Sequence, residues 1–233
     1  MRGSRMLRFF AFSIAAAALL FSGARVAAAY VAIQERDEMV GKLKLHWLEA
    51  GPATGHPVLL LHGARFHSGL WRKLGTLEKL ANAGFHAIAL DLPGYGASPP
   101  PPYDTELDLA EFIAARKLAP PVVVAPSMSG HYALPLVTAH PDRVSGFVPV
   151  APVELPQYED ALRKLAVPTL IFWGEKDNVI PPAQAQALHG WVKNSQLVVL
   201  KGAQHPCYLD RPFEFHDKLI EFVQSVAHKH QHD

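Results

Sequence analysis

The sequence predicts an α/β fold in which a mostly parallel sheet is covered by helices on both faces. Short apolar runs rich in β-branched residues alternate with longer segments in which apolar residues recur every three or four positions. The short runs show no polar alternation, which is typical of strands that are buried on both faces. A chain of 233 residues with 49% hydrophobic content can bury one sizeable core, so we expect one domain over residues 30–233.

After two consecutive strands, the predicted helices and strands alternate along the chain. The predicted strands are "LKLHWLEAG", "VLLLHG" (58–63), the start of "FHAIALDLPGYG" (85–96), 122–125, "GFVPVA" (146–151), "TLIFWG" (169–174) and "LVVLKG" (197–202). The predicted helices are 71–83, 104–117, 129–140, 158–165, 183–191 and 213–226. The run "PPPP" (99–102) is interpreted as a loop. One helix and the strand after it together return the chain to the same edge of the sheet, so the residues that follow the strands are expected to meet there.

The first 29 residues have the pattern of a secretory signal. They carry four arginines and no acidic residue, and the mostly apolar run 9–21 precedes the small-residue stretch 27–29. The apolar run is short for a bilayer span of about 20 residues. We therefore expect a cleavable signal peptide and an exported protein, secreted, periplasmic or in the secretory pathway. An uncleaved signal anchor that holds the protein on a membrane, a transit peptide and a plain apolar N-terminus remain alternatives.

The net charge and the number of cysteines bear on two questions: whether the domain binds nucleic acid, and whether disulfide bonds stabilise it. The formal net charge is +1, and removal of residues 1–29 leaves −3 because four arginines and no acid are lost. Such a domain is not expected to bind nucleic acid. Cys207 is the single cysteine of the chain, so an internal disulfide is excluded. The alternating histidines at 228, 230 and 232 are interpreted as a neutral tail, and no metal site is expected.

The segment "VVVAPSMSGHY" (122–132) contains the candidate nucleophile. It places two serines two positions apart between an apolar strand and a predicted helix. At a sharp strand–turn–helix junction, the residues two before and two after the nucleophile must be small. Ser127 has Ala125 and Ser129 there, whereas Ser129 would have Ser127 and the bulky His131. We predict Ser127 as the nucleophile in a relaxed G-x-S-x-G pattern; a serine that only caps the helix is the alternative.

A serine needs a base, and the base needs an orienting acid. For a nucleophile at such a turn the chain order is serine, acid, histidine. Asp177 in "WGEKDNVIPP" follows one predicted strand, and His205 in "KGAQHPCYLD" follows the next. Rivals for the acid are Glu175, which is too close to its strand, and Glu154, which follows the preceding strand. The predicted catalytic residues are therefore Ser127, Asp177 and His205.

Two backbone N–H groups are predicted to hold the negative charge that develops on a carbonyl oxygen. One belongs to Met128, directly after the nucleophile, and the other to Ala64 in "LLLHGARF". His62 is interpreted as a structural residue that holds this loop. The candidate substrate-binding residues are Phe66, Tyr95 and Tyr132, with Met128 beside them.

The chain resembles the abhydrolase domain-containing 14 family within the α/β-hydrolase superfamily. The resemblance runs from about Leu59 to about Val223, and its most specific parts are "PSMSG" and "HPCYLD"; "LLLHG" and "DLPGYG" are shared more widely. It implies an α/β-hydrolase fold with the nucleophile at Ser127, the acid at Asp177 and the base at His205. The family is known for cleaving small acyl esters, and one branch has been proposed to pass acetyl groups from lysine to coenzyme A. That branch is cytoplasmic, another has an N-terminal membrane segment, and this chain begins with an apparent export signal.

The expected function is that of a serine hydrolase or acyltransferase. Only "PVELPQYEDALRKLAVP" lies where related hydrolases insert a lid, so no lid domain and an open site for a short acyl chain are expected. The substrate is an acetyl-like ester or amide of a small molecule or an acylated protein, cleaved through an acyl-serine intermediate. No cofactor is expected, apart from coenzyme A as a possible acyl acceptor. The alternative is a catalytically silent scaffold that binds a protein partner.

Overall fold

A computed structural model of the chain describes residues 31–229. The predicted signal peptide lies outside these residues, so cleavage near Tyr30 and export stay predictions, which N-terminal sequencing of the protein from its native host checks. Full-length protein in the soluble cytoplasm would contradict them.

Eight strands form one sheet in the part of the chain that the structure describes. They are β1 (Ile33–Val40), β2 (Leu43–Ala50), β3 (Pro57–Leu60), β4 (His86–Asp91), β5 (Val122–Pro126), β6 (Gly146–Val150), β7 (Thr169–Gly174) and β8 (Ser195–Leu200). Their order in the sheet is β1-β2-β4-β3-β5-β6-β7-β8. Only β1 with β2 and β2 with β4 pair antiparallel, so the prediction of a mostly parallel sheet is confirmed.

Helices cover both faces of the sheet. They are α1 (Gly69–Lys73), α2 (Thr76–Asn82), α3 (Leu109–Ala115), α4 (Gly130–Ala139), α5 (Glu159–Leu162), α6 (Ala183–Trp191), α7 (Cys207–Asp210) and α8 (Pro212–Lys229). Side chains alternate across each strand, so Leu59 of β3 belongs to the core cluster under α3, α4 and α6, and Leu60 belongs to the cluster under α1, α2 and α8. Both leucines are fully buried, as the unbroken apolar pattern predicts.

Three predicted elements differ from the observed ones, each for a local reason. The predicted helix 71–83 is two helices, because Gly75 adopts φ 71° and ends the first of them. The predicted helix 104–117 begins only at Leu109, where the Asp108 side chain accepts a hydrogen bond from the Ala110 N–H. Strand β1 was not predicted, because "IQERDEMV" is mostly exposed and charged, as is typical of an edge strand.

Between β6 and β7 the chain forms only a 3₁₀ turn, Leu155–Tyr158, and the short α5. No lid domain therefore covers the sheet edge at this point, in agreement with the prediction. Within residues 31–229, no helix combines the length and the apolar character needed to cross a membrane.

Candidate active site

Three predicted side chains meet at the carboxyl edge of the sheet. Ser127 follows β5, Asp177 follows β7 and His205 follows β8. Ser127 Oγ lies 2.8 Å from His205 Nε2, and His205 Nδ1 lies 2.8 Å from Asp177 Oδ2. A neutral His205 that donates from Nδ1 to the carboxylate accepts the serine proton at Nε2. The hydrogen-bonded series of Ser127, His205 and Asp177 has the arrangement of a nucleophile, a general base and an orienting acid.

The backbone of Ser127 forms the sharp turn that the sequence predicts. Its φ is 51°, in the left-handed region that side chains other than glycine rarely adopt. The neighbouring Ser129 is buried, and its hydroxyl donates to the Pro126 carbonyl oxygen over 2.8 Å. Ser129 therefore serves the turn itself, while Ser127 faces the histidine.

Gly130 marks the tightest approach next to this turn. A side-chain Cβ on Gly130 would lie 2.7 Å from the Val153 carbonyl oxygen and 2.9 Å from the Pro152 side chain. The steric argument from the sequence placed the crowding at positions 125 and 129. The loop after β6 adds a second constraint one residue later, because it packs directly on the first turn of α4.

The Asp177 carboxylate is held in one orientation. Its Oδ1 atom accepts hydrogen bonds from the Val179 and Ile180 N–H groups, at 2.9 and 2.8 Å, which leaves Oδ2 for His205. The residue is 5% exposed, so its remaining interactions are with protein groups and not with bulk water. Such fixed acceptors orient the histidine ring and stabilise its protonated form.

The two rival acids have other partners. Glu175 Oε2 accepts a hydrogen bond from the Gly202 N–H at 2.7 Å. Glu154 adopts φ 68° and lies 3.0 Å from His131 Nδ1. Neither carboxylate is hydrogen-bonded to His205.

Two backbone N–H groups next to Ser127 have no acceptor in the described residues. They belong to Ala64 and Met128, the predicted oxyanion donors. Neither of these two N–H groups donates a hydrogen bond to a backbone or side-chain acceptor within residues 31–229. Backbone donors beside a nucleophile that lack an internal acceptor are suited to bind a carbonyl oxygen as it becomes negative.

His62 connects the loop that contains Ala64 to the loop after β4. Its Nδ1 donates to the Gly63 carbonyl oxygen and its Nε2 accepts from the Leu92 N–H, both at 3.0 Å. Burial lowers the pKa of His62, which keeps the ring neutral and able to accept at Nε2. This geometry agrees with the structural role that the sequence indicates for His62.

Asp91, at the end of β4, is a supporting residue that the sequence reasoning did not identify. Its buried carboxylate accepts from the Ser68 N–H at 2.6 Å and the Ala97 N–H at 2.9 Å, and it lies 2.8 Å from His46 Nδ1. It therefore joins the loop that carries Ala64 to the loop that carries Tyr95. A carboxylate at the end of a buried strand was the available signal.

A cavity of about 390 Å³ opens over Ser127 and His205. Phe66 lines it, as expected, and Gly63 and Ala64 form one wall. The other lining residues, which the sequence reasoning did not assign, are Arg65, Pro126, Val150, Asn178, Val179, Gln204, Pro206 and Tyr208. Six of them lie within three positions of a predicted triad residue in the chain, whereas Arg65 follows Ala64 and Val150 ends β6. These chain positions were the only sequence signal.

Tyr95 and Tyr132, two of the candidate substrate-binding residues, are not among the residues that line this cavity. The Tyr95 hydroxyl donates to Met128 Sδ over 3.1 Å and so supports the residue after the nucleophile. Tyr132 lines a separate groove together with Glu154 and Tyr158. For Tyr132, proximity to Ser127 in the sequence did not show on which side of the turn its side chain lies.

The described residues contain no group of three or more histidine, cysteine, aspartate or glutamate side chains placed to hold a metal ion. Cys207 is buried beneath the histidine loop, and burial raises its pKa to about 12. The thiol therefore stays protonated at neutral pH and is a poor nucleophile.

Comparison with known protein families agrees with this geometry. A model described as "Alpha/beta hydrolase family" matches residues 58–160, and one described as "alpha/beta hydrolase fold" matches residues 154–212. Human "Putative protein-lysine deacylase ABHD14B" is 42% identical over 212 residues, covering 85% of this chain and 99% of that protein. Zebrafish (Danio rerio) "Protein ABHD14A" is 43% identical over 183 residues, covering 72% of this chain and 64% of that protein.

Solved structures show the same fold. A "predicted CIB-like hydrolase" from Thermoplasma acidophilum superposes with a TM-score of 0.79 at 25% identity, covering 84% of this chain and 100% of that one. A serine hydrolase from the bacterium Cycloclasticus zankles superposes with a TM-score of 0.73 at 17% identity, covering 84% and 99%. Together with the relatives above, these matches show that the chain belongs to the abhydrolase domain-containing 14 family of α/β hydrolases.

Proposed function

We propose that this protein is a serine acyl hydrolase that removes short acyl groups from esters or amides through an acyl-serine intermediate. The observation that carries the proposal is the continuous row of hydrogen bonds from Ser127 through His205 to Asp177, beside the two free N–H groups of Ala64 and Met128. These are the nucleophile, the base, the orienting acid and the oxyanion donors that acyl transfer needs.

In the acylation half, Ser127 Oγ attacks the acyl carbonyl carbon while His205 Nε2 takes the hydroxyl proton. The carbonyl oxygen becomes negative and accepts hydrogen bonds from the Ala64 and Met128 N–H groups. The bond to the leaving oxygen or nitrogen then breaks, and His205 Nε2 gives its proton to that atom. Asp177 stabilises the imidazolium in between without taking its proton.

In the second half, an acceptor attacks the acyl-serine. Water gives its proton to His205 Nε2, adds to the carbonyl carbon, and expels Ser127 Oγ, which regains the proton; the product is the free carboxylic acid. A thiol acceptor in place of water yields a thioester by the same steps. Coenzyme A remains a proposed acceptor, suggested by the family resemblance alone.

The substrate class follows from the size and lining of the cavity. Its volume of about 390 Å³ and its apolar walls at Phe66, Val150 and Val179 suit a short acyl chain. Because the insertion after β6 is short, the leaving group extends toward solvent, which admits a small alcohol or a protein side chain. The name of the human relative, a protein-lysine deacylase, supports acyl-lysine as one candidate substrate.

A fluorophosphonate probe tests the nucleophile directly. We expect the wild-type protein to be labelled, with mass spectrometry placing the phosphonyl group on Ser127. Ser127→Ala should abolish labelling and reduce ester hydrolysis to the small rate that the oxyanion donors sustain.

Ser129→Ala is the matched control. It removes a buried hydroxyl that only donates to Pro126, so activity should stay within about tenfold, equivalent to about 1.4 kcal/mol. An adduct on Ser129 with Ser127 unmodified would overturn the assignment. A folded wild-type protein that neither reacts with the probe nor hydrolyses short esters would instead support the silent scaffold.

A further inference from the structure

Tyr208 places a hydroxyl group at the catalytic cavity without an internal partner. The residue is 2% exposed, and it lines the cavity three positions after His205. Its ring stacks on Trp71 with centroids 5.1 Å apart and an interplanar angle of 28°, and it contacts Phe215 at 5.7 Å. In residues 31–229 its hydroxyl makes no hydrogen bond to protein.

The Tyr208 hydroxyl is free to donate a hydrogen bond to an acceptor outside the protein. The packing on Trp71 and Phe215 would be satisfied equally by phenylalanine, so packing alone does not require the hydroxyl. The hydroxyl oxygen keeps some accessible surface and faces the cavity rather than a protein group. The hydroxyl is therefore suited to donate to a group that enters the cavity. Burial raises the pKa of Tyr208, so the proton stays available for donation over the whole neutral range.

Arg65 supplies a positive charge to the same cavity. It lies in the turn closed by the Phe66 N–H to Gly63 carbonyl hydrogen bond, directly after the oxyanion donor Ala64. Its guanidinium makes no ion pair with any residue that the structure describes, although Arg36, Arg72 and Arg116 each pair with a glutamate. No aspartate, glutamate or lysine lines the cavity, so the Arg65 charge is not neutralised there.

We propose that Arg65 and Tyr208 together select substrates that carry an anionic, oxygen-rich group close to the scissile carbonyl. A free guanidinium and a fixed hydroxyl donor are the chemistry that binds a carboxylate or a phosphate. Two sources fit: a carboxylate at the end of a short dicarboxylic acyl chain, and the phosphates of a thiol acceptor such as coenzyme A. The inference deepens the proposed acyl transfer and rests on it, because it assigns the substrate selectivity of that same site.

Matched substrates separate the charge of the acyl chain from its length. Monoethyl succinate and ethyl butanoate have the same four-carbon acyl chain and the same neutral leaving group, and differ in the terminal carboxylate. We expect the wild-type kcat/KM to favour succinate by tenfold or more. Tyr208→Phe and Arg65→Gln should each remove most of that preference, through a higher KM for monoethyl succinate.

The acceptor arm compares coenzyme A with N-acetylcysteamine, a thiol without phosphates, in transfer from ethyl acetate. One outcome is that the wild type prefers coenzyme A over N-acetylcysteamine and shows no preference for monoethyl succinate over ethyl butanoate. If Arg65→Gln then loses the preference for coenzyme A, the anionic group belongs to the acceptor and not to the acyl chain. Arg143→Gln removes a surface charge elsewhere and Tyr103→Phe removes an exposed hydroxyl, so both control variants should behave as wild type.

Binding to Ser127→Ala gives a readout that does not need turnover. Monoethyl succinate should raise the unfolding temperature of this variant more than ethyl butanoate does, and additional Arg65→Gln should remove the difference. Equal shifts for both esters, together with no discrimination in either kinetic arm, would overturn the inference. A protein that hydrolyses ethyl butanoate but shows neither the succinate nor the coenzyme A preference would refute only the proposed selectivity for anionic groups. A protein that shows no hydrolysis and no probe labelling would refute the proposed function itself.

Discussion

Ser127 adopts a strained backbone conformation, and its immediate neighbours hold it there. A φ of 51° on a residue with a Cβ costs about 1–3 kcal/mol, which other contacts must offset. The Val153 N–H donates to the Ser127 carbonyl oxygen at 3.0 Å, and the Ser129 hydroxyl donates to Pro126 at 2.8 Å. These bonds fix the turn on both sides, so the Ser127 hydroxyl points to His205 without rearrangement.

Replacement of Asp177 by asparagine tests the orienting acid. An amide can donate to His205 Nδ1 and so favours the wrong tautomer, with the proton on Nε2 where the base must accept. Asp177→Asn should lower kcat by about 10⁴-fold while the fold stays intact, measured by ester hydrolysis and circular dichroism.

The rival acids are the controls for this change. Glu175→Gln and Glu154→Gln should each reduce kcat by less than about tenfold, because these carboxylates bond to Gly202 and His131 and not to His205. A larger loss in Glu154→Gln than in Asp177→Asn would place the acid after β6.

The end of β7 and the loop after β8 come into direct contact, and this contact sets the distance between Asp177 and His205. Gly174 ends β7, and a Cβ there would lie 2.1 Å from the Gln204 carbonyl oxygen and 2.6 Å from that of Ala203. The Lys176 N–H donates to the same Ala203 oxygen at 2.8 Å, and the Asp210 carboxylate accepts from the Gln204 N–H at 2.7 Å. The histidine loop is therefore held by backbone contacts with the strand that carries the acid.

Gly174→Ala should separate these two segments. Because both close contacts are with backbone atoms, the loop must move, and we expect a loss of about 2 kcal/mol of stability and at least a hundredfold drop in kcat. Urea unfolding and ester hydrolysis measure the two effects.

Gly190→Ala is the matched control, since a Cβ at this position of α6 meets no atom within 4 Å. Alanine is the better helix former by about 1 kcal/mol, so stability should rise or stay unchanged. A Gly174→Ala protein with wild-type kcat would show that the contact does not position the histidine.

The titratable side chain of His216 is buried where α8 packs against α2. His216 of α8 is 2% exposed, and its Nε2 lies 2.8 Å from the Thr76 hydroxyl of α2, while Nδ1 has no hydrogen-bond partner in the described residues. Burial, with a smaller contribution from the Lys79 charge, lowers the pKa of His216 to about 4. The helix that closes the sheet therefore docks with an uncharged histidine.

Stability should consequently fall as pH drops from about 6.5 toward 4. In that window the unfolded chain binds a proton at this histidine and the folded chain does not, so protonation favours unfolding. The loss is on the order of 2 kcal/mol, and urea unfolding at pH 7 and pH 5 measures it.

A His216→Gln variant provides the comparison, because glutamine can bond to Thr76 and does not titrate. Its unfolding free energy should change less between pH 7 and pH 5 than that of the wild type. Equal pH dependence in the two proteins would assign the effect to other groups.

Local sequence patterns were sufficient for the class of the fold, the succession of its buried strands along the chain, and the chain positions of Ser127, Asp177 and His205. Strands buried on both faces have a nearly continuous apolar pattern, and the turn after β5 needs small residues at particular spacings. Both constraints act between residues that are close in the chain, so they can be recognised from the amino-acid sequence alone. The catalytic roles of the three residues stay predictions until the variants above are measured.

Long-range packing determined the features that the sequence left undefined. Strand β1 has a polar pattern and exists because β2 pairs with it along its whole length. The cavity joins residues from the loops after β3, β5, β7 and β8, which is why Tyr132 lies outside it and Tyr208 lies within it. No local pattern states which side of a turn a neighbour faces, because that depends on how separate loops pack at the edge of the sheet.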